Sequence, residues 1–228
     1  MAYAYGIRPM QPFMTYILIL LNTVIFICQY IFGYSNVILL FGMIPAKILT
    51  GQNLYTLVTS IFLHGDFFHL LINMYFLYIF GSIVEREMHP FLYFLLFLLA
   101  GIVGSFGHIL ITYTIGSAFG SSGVNIPAIG ASGAIFGIMA AYAYLLPRRP
   151  VGMYGDTGRT TAAWNIIFIY FFIEVISIFI SLGSGIAHGA HVFGFVGGYL
   201  FAFLYRFIRI RRIRQKPGAE YDPYEYYV

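Results

Sequence analysis

The chain has 228 residues, of which 60% are hydrophobic, 20% aromatic and only 9% charged. That balance excludes a soluble globular domain and predicts an all-α polytopic membrane protein with a single helical bundle. The formal net charge of +4 needs no nucleic-acid partner, because the basic residues gather at the ends of apolar runs. Cys28, the single cysteine, excludes a disulfide within the chain.

Six segments reach, or nearly reach, the length needed to span a bilayer: about Phe13–Phe32, Phe68–Val84, Phe91–Ile115, Ser132–Leu146, Trp164–Ile180 and Gly189–Arg206. The N-terminus lacks a basic stretch and a small-residue cleavage site, so the first run reads as a retained span. Between the first two spans, Gly33–Phe67 is rich in Leu, Ile and Phe without an 18-residue apolar run, which predicts a partly interfacial or re-entrant loop. The Gly116–Gly130 connection is Gly/Ser-rich and uncharged. Turn clusters at Met88-His89-Pro90, Pro147-Arg148-Arg149-Pro150, Gly155-Asp156-Thr157-Gly158 and Gly183-Ser184-Gly185 punctuate the rest.

Placing the N-terminus inside puts Arg8, Arg86, Arg148, Arg149, Arg159 and the tail cluster Arg206, Arg209, Arg211, Arg212, Arg214 and Lys216 on the cytoplasmic side, leaving only Lys47 outside. Both termini are thus expected in the cytoplasm, in a prokaryotic cell membrane. Residues 1–210 form the membrane domain and 211–228 a short tail, basic and then rich in tyrosine and acids. The basic cluster is expected to meet anionic lipid headgroups.

Within this apolar chain the polar residues carry the information. Ser132 precedes Arg148 by 16 residues and His191 precedes Arg206 by 15. At 1.5 Å per residue both stand about 23 Å above the inner edge of a core about 30 Å thick. His69 precedes Glu85 by 16 residues, and Asn73 follows it one turn deeper on the same face. Serine, histidine and a His/Asn pair therefore share one level on three helices. Interhelical hydrogen bonding is the bland reading of that layer. A nucleophile and base in a cavity open to the outside is the sharp one. The fourth span is too short to cross, so its N-terminus, with its free amides and positive dipole end, lies inside the membrane beside Ser132.

Small residues sharpen the pairing. Gly133-xxx-Gly137-xxx-Ala141 runs down the fourth span and Ala190-xxx-Gly194-xxx-Gly198-xxx-Ala202 down the sixth. Such ladders allow close helix approach, which would bring Ser132 Oγ toward His191, with Phe136 one turn below to pack on the imidazole. The soluble-hydrolase pattern Gly-x-Ser-x-Gly is absent. So is a His-Glu-x-x-His zinc motif, and aspartyl chemistry needs two neighbouring acids where only Glu174 lies within a span. With no clear acid for His191, the expectation is a Ser132–His191 dyad with no metal or organic cofactor.

The residues Gly130-Ala131-Ser132-Gly133-Ala134-Ile135-Phe136-Gly137, Ala190-His191-Val192-Phe193-Gly194-Phe195-Val196-Gly197-Gly198 and Leu63-His64-Gly65-Asp66-Phe67-Phe68-His69-Leu70-Leu71-Ile72-Asn73-Met74 together resemble a rhomboid intramembrane serine protease. The resemblance covers nearly the whole chain, in order, in the basic six-span form. It implies a six-transmembrane-helix bundle of rhomboid type and a serine endopeptidase. Ser132 would be its nucleophile and His191 its base. His69, Asn73 and the Ser132 backbone amide would form an oxyanion hole. Gly130, Gly133, Phe136, Gly194 and Gly198 would be supporting residues. Its partners would be the transmembrane segments of substrate proteins, cut near the outer face. Two positions depart from the family pattern: Trp-Arg in the outer loop reads Tyr55-Thr56, and Glu-x-Arg at the second span's inner end reads Glu85-Arg86-Glu87. The alternative reading is a non-catalytic rhomboid-like chaperone or small transporter that uses the polar layer as a binding site.

Other polar residues draw plainer expectations. His64 organises the outer loop, His188 is a rim residue and rival base, and His108 is a helix–helix contact. Trp164 is an interfacial anchor, and Glu174 is a proton-pathway acid, a bundle hydrogen-bonder or a residue at a lipid defect.

Overall fold

The computed structural model describes residues 11–116, 118, 123–147, 163–180 and 187–214. The turns expected at Gly155–Gly158 and Gly183–Gly185, the basic residues Arg8, Arg148, Arg149, Arg159 and Lys216, and the tail beyond 214 lie outside the described residues. So does the side chain of Trp164.

The described residues form ten α-helices. Helix α1 (Phe13–Ile31) starts just after Pro12 without a capping side chain of its own. Glu85, from the C-terminal end of the second span, supplies the cap instead. Its Oε1 accepts the Met14 N–H at 2.7 Å, and its Oε2 accepts the Thr15 N–H at 2.8 Å and the Thr15 hydroxyl at 2.7 Å. These bonds satisfy amides that the first turn leaves free and place a carboxyl group at the positive end of the helix dipole. The altered Glu85-Arg86-Glu87 sequence therefore still joins the C-terminal end of the second span to the start of the first.

The long loop folds into α2 (Tyr34–Phe41), α3 (Pro45–Leu49) and α4 (Thr56–Thr59), with a 3₁₀ turn at Ser60–Phe62. Leu39, Leu40, Leu49 and Leu54 are exposed, consistent with a loop lying against lipid. Tyr55 and Thr56, at the departure from the family pattern, are both bonded: Tyr55 OH donates to the Leu40 carbonyl at 2.9 Å, and buried Thr56 donates to the Asn53 carbonyl at 2.7 Å. Gln29 in α1 clamps the loop's far end. Its amide donates to the His64 carbonyl at 2.9 Å and accepts the His64 N–H at 3.0 Å.

The second span is α5 (Phe67–Phe76), a π-helical turn at Leu77–Gly81, and α6 (Ser82–Glu87). Helix α7 (Pro90–Ile111) begins with proline in its first turn and runs into a π turn at Thr112–Gly116. Helix α8 (Ser132–Leu145) is apolar on all sides, and Ala134, Ile138, Ala140, Ala141 and Tyr142 are almost fully buried. That is the signature of a central helix. Helices α9 (Ala163–Ile180) and α10 (His188–Arg214) complete the bundle.

Among the described residues, four helical stretches are long and apolar enough to cross a membrane: Phe13–Ile31, Phe67–Glu87, Pro90–Gly116 and His188–Arg211. Ser132–Leu145 and Asn165–Ile180 are shorter apolar helices. At 14 residues α8 measures only about 21 Å, and it begins at Ser132, as its composition implies. Outward apolar side chains such as Leu20, Phe68, Phe106, Phe172 and Leu204 give the bundle a lipid-compatible exterior.

Candidate active site

The approach to α8 is pinned by the loop between the first two spans. Ala128 and Met43 exchange backbone hydrogen bonds at 2.8 and 3.1 Å, and the Gly130 N–H donates to the Ser60 carbonyl at 3.0 Å. Gly130 then takes φ +124°, a conformation that side-chain-bearing residues avoid. A Cβ there would also come within 2.9 Å of the His69 imidazole. Glycine at this position thus lets the chain turn into α8 while His69 stays beside it.

The small-residue ladders bring α8 and α10 into backbone contact. A Cβ on Gly194 would overlap the Gly133 carbonyl, and one on Gly198 would overlap Gly137. Helix α7 joins them through a glycine face that the sequence reading passed over. A Cβ on Gly104 would stand 2.7 Å from the Ala190 carbonyl oxygen, and one on Gly107 would overlap Phe193. Three backbones thereby meet at the level of Ala190.

This packing sets Ser132 Oγ 2.7 Å from His191 Nε2. Phe136 stacks on the imidazole with centroids 4.7 Å apart and planes at 10°, which fixes the ring's orientation. Both residues line a cavity of about 810 Å³. His69 and Asn73 line the same cavity. Asp66 caps α5 by accepting the His69 N–H at 2.8 Å. His69 Nδ1 accepts the Gly65 N–H at 3.3 Å, so the neutral ring carries its proton on Nε2, on the side of Gly130 and Ser132. Asn73 is buried, and its Nδ2 has no hydrogen-bond partner among the described residues. A buried amide donor is costly unless it is used, and here it borders the cavity.

The sequence offers no clear acid for His191; in the structure Glu174 Oε2 lies 2.9 Å from His191 Nδ1 and 2.6 Å from His188 Nδ1. The contact to His191 is bent away from the N–H direction, so that nitrogen has no aligned acceptor. The sequence did mark Glu174 as the lone carboxylate within a span. Its face on α9 could not be read without knowing how α9 packs against α10.

Glu174, His188 and His191 offer ligand atoms within 4.8 Å of one another. Ligands on a tetrahedral zinc with bonds of about 2.0–2.1 Å stand about 3.3 Å apart. The 2.6 Å separation of Glu174 and His188 is instead that of a hydrogen-bonded pair, and the 2.9 Å to His191 is likewise too short for two ligands of one zinc.

His64 is not among the residues that line the cavity. It is fully buried, its ring meets His69 edge-on at 5.1 Å, and neither ring nitrogen has an aligned partner. Burial, and then the neighbouring His69, push its imidazole down to about 3. His108, expected at a helix–helix contact, instead stands 3.4 Å from Thr112 one turn on in its own helical run, and it borders the cavity.

Comparison with known proteins agrees with this architecture. The chain matches the Rhomboid domain family model over residues 51–207. The Bacillus subtilis rhomboid YdcA is 30% identical over 192 residues, covering 78% of this chain and 87% of YdcA. The Bacillus subtilis rhomboid protease GluP is 30% identical over 201 residues, 84% of this chain but 34% of GluP. RHOMBOID-like protein 4 of Arabidopsis thaliana is 26% identical over 190 residues, 81% of this chain and 43% of that protein. The chain thus spans most of YdcA and less than half of the other two. With the family model matched over more than half its length and its apolar helices packed as a bundle, the chain belongs to the rhomboid family of integral membrane proteins.

Proposed function

We propose that this chain is an intramembrane serine endopeptidase that cleaves transmembrane segments of membrane proteins near the outer face of a prokaryotic cell membrane, with both of its own termini cytoplasmic. The observation that carries the reading is the 2.7 Å contact between Ser132 Oγ and His191 Nε2 inside a cavity. As the Ser132 oxygen attacks the scissile carbonyl, its proton passes to His191 Nε2. The carbonyl electron pair moves onto oxygen, and His191 then delivers the proton to the departing amide nitrogen. Water entering the cavity hydrolyses the acyl-enzyme by the same steps in reverse.

Negative charge on the tetrahedral oxygen falls to the Ser132 amide at the N-terminus of α8, to His69 Nε2–H and to Asn73 Nδ2–H. The free Asn73 donor supports its part in that hole. A substrate helix must unwind locally to present its backbone, so small or helix-breaking residues near the cut are favoured. No step requires a metal or organic cofactor. Arg206, Arg209 and Arg211 at the foot of α10 would meet anionic headgroups.

The test is acylation by a fluorophosphonate together with cleavage of a transmembrane substrate by the purified protein. Ser132→Ala and His191→Ala should each abolish both activities while remaining folded, and the double variant should be no worse than either alone. Cleavage at the wild-type rate in Ser132→Ala would refute the assignment. Activity retained in His191→Ala but lost in His188→Ala would transfer the role of base to His188.

A further inference from the structure

Among the ionisable groups that the proposed dyad leaves unused, Glu174 is the one that contacts His191. Glu174 is a carboxyl group on a membrane-spanning helix, its side chain 15% exposed, with one oxygen set between two imidazoles. Ionisable groups at such depth are costly and usually serve a partner. Here the partners are His191, whose other nitrogen faces Ser132, and His188, one turn earlier on the same helix.

We propose, building on the protease reading above, that Glu174 is a positioning residue for His191 and converts the dyad into a Glu174–His191–Ser132 relay, with His188 holding the carboxylate in place. The argument is one of tautomers. A neutral imidazole carries one proton, and a carboxylate oxygen 2.9 Å from Nδ1, although off the N–H direction, attracts that proton to Nδ1 by its charge. Nε2 then presents its lone pair to the Ser132 hydroxyl 2.7 Å away. Without that oxygen, the proton on Nε2 is equally available to the ring, and Nε2 cannot then accept from serine.

When the Ser132 Oγ–carbonyl bond forms and the hydroxyl proton moves to Nε2, positive charge appears on the imidazole. Glu174 is the carboxylate placed against it. Glu174 itself takes no proton; the proton on Nε2 goes on to the leaving nitrogen as the C–N bond breaks. The bent approach at Nδ1 fits a resting site, since catalytic hydrogen bonds commonly tighten only once substrate is bound. His188 Nδ1, at 2.6 Å from the same oxygen, restrains the carboxylate. Phe136, stacked on His191, restrains the ring that receives it.

Glu174→Gln keeps the shape and removes the charge. In the purified protein it should lower kcat and the fluorophosphonate acylation rate by about 10- to 1000-fold, with KM within about threefold of wild type and an unchanged melting midpoint. Glu174→Asp keeps the charge one methylene short and should recover activity above the Gln variant. Wild-type acylation at a normal rate with an equal rate in Glu174→Gln would overturn the relay and leave the protease reading standing. Failure of the wild-type protein to react at all, while folded, would remove both. A Glu174→Gln protein with lowered melting, raised KM and unchanged kcat would show a structural group only. Should Glu174→Gln not fold, Glu174→Asp decides: folded but as inactive as Ser132→Ala, it overturns the relay; measurably active, it supports it.

Discussion

A methyl group added at Gly194 tests the geometry from which the mechanism was built. Its Cβ would overlap the carbonyl of Gly133, the residue after Ser132, on a helix packed on all sides. Backbone cannot swing aside as a side chain can, so α8 and α10 must separate by about 1 Å to restore ordinary contact. The Oγ–Nε2 distance of 2.7 Å would stretch toward roughly 3.7 Å. A displacement of that size between reacting groups costs on the order of 100-fold in rate, or about 2.7 kcal/mol of barrier. Overpacking would also cost about 1–3 kcal/mol of stability, offset in part by the roughly 0.5–1 kcal/mol that alanine gains over glycine within a helix.

Gly197→Ala on the same helix is the matched control. Its Cβ would stand 3.0 Å from a methyl of Val103 on α7, a side chain that can yield. Initial rates on a transmembrane substrate and thermal unfolding in detergent should show Gly194→Ala losing about 100-fold in kcat and Gly197→Ala staying within a few-fold. Turnover of Gly194→Ala within about twofold of wild type, or an equal loss in Gly197→Ala, would refute the reasoning.

Two further outcomes are expected. Asn73→Ala should lower kcat by roughly 10- to 1000-fold with a smaller change in KM, and His69→Ala should act similarly, measured by steady-state kinetics; unchanged kcat in both would make this face of α5 interhelical glue. Burial keeps His64 neutral down to about pH 3 in the folded protein, while the unfolded chain takes up the proton near pH 6.5. The unfolded state then binds more protons across that window, so stability should fall as pH drops from 6.5 toward 3. His64→Gln should flatten that fall in melting curves taken from pH 4 to 7.

Much of this protein is legible in its sequence because a bilayer allows few solutions. Apolar run lengths predict the helices, and turn residues with charges mark their ends. The shortness of the run from Ser132 to Leu146 already places a helix start below the surface, since rise per residue is fixed. Residue spacing also singles out Ser132, His191, His69 and Asn73, because polar groups are too costly in a bilayer to scatter at random.

Tertiary structure decided what depends on how helices rotate and lean against one another. Spacing could place Gly194 and Gly133 on ladders, but only packing brings their backbones together and joins them to Gly104 and Gly107 of α7. The cap that Glu85 gives to α1 links residues 70 positions apart, beyond the reach of any local pattern. The same holds for Glu174. A lone carboxylate in a span says that it has a partner, and the contact of α9 with α10 decides that the partners are His188 and His191. Hydrophobic periodicity fixes which elements exist, whereas the rotation of each helix about its axis is set by side chains it meets only after folding.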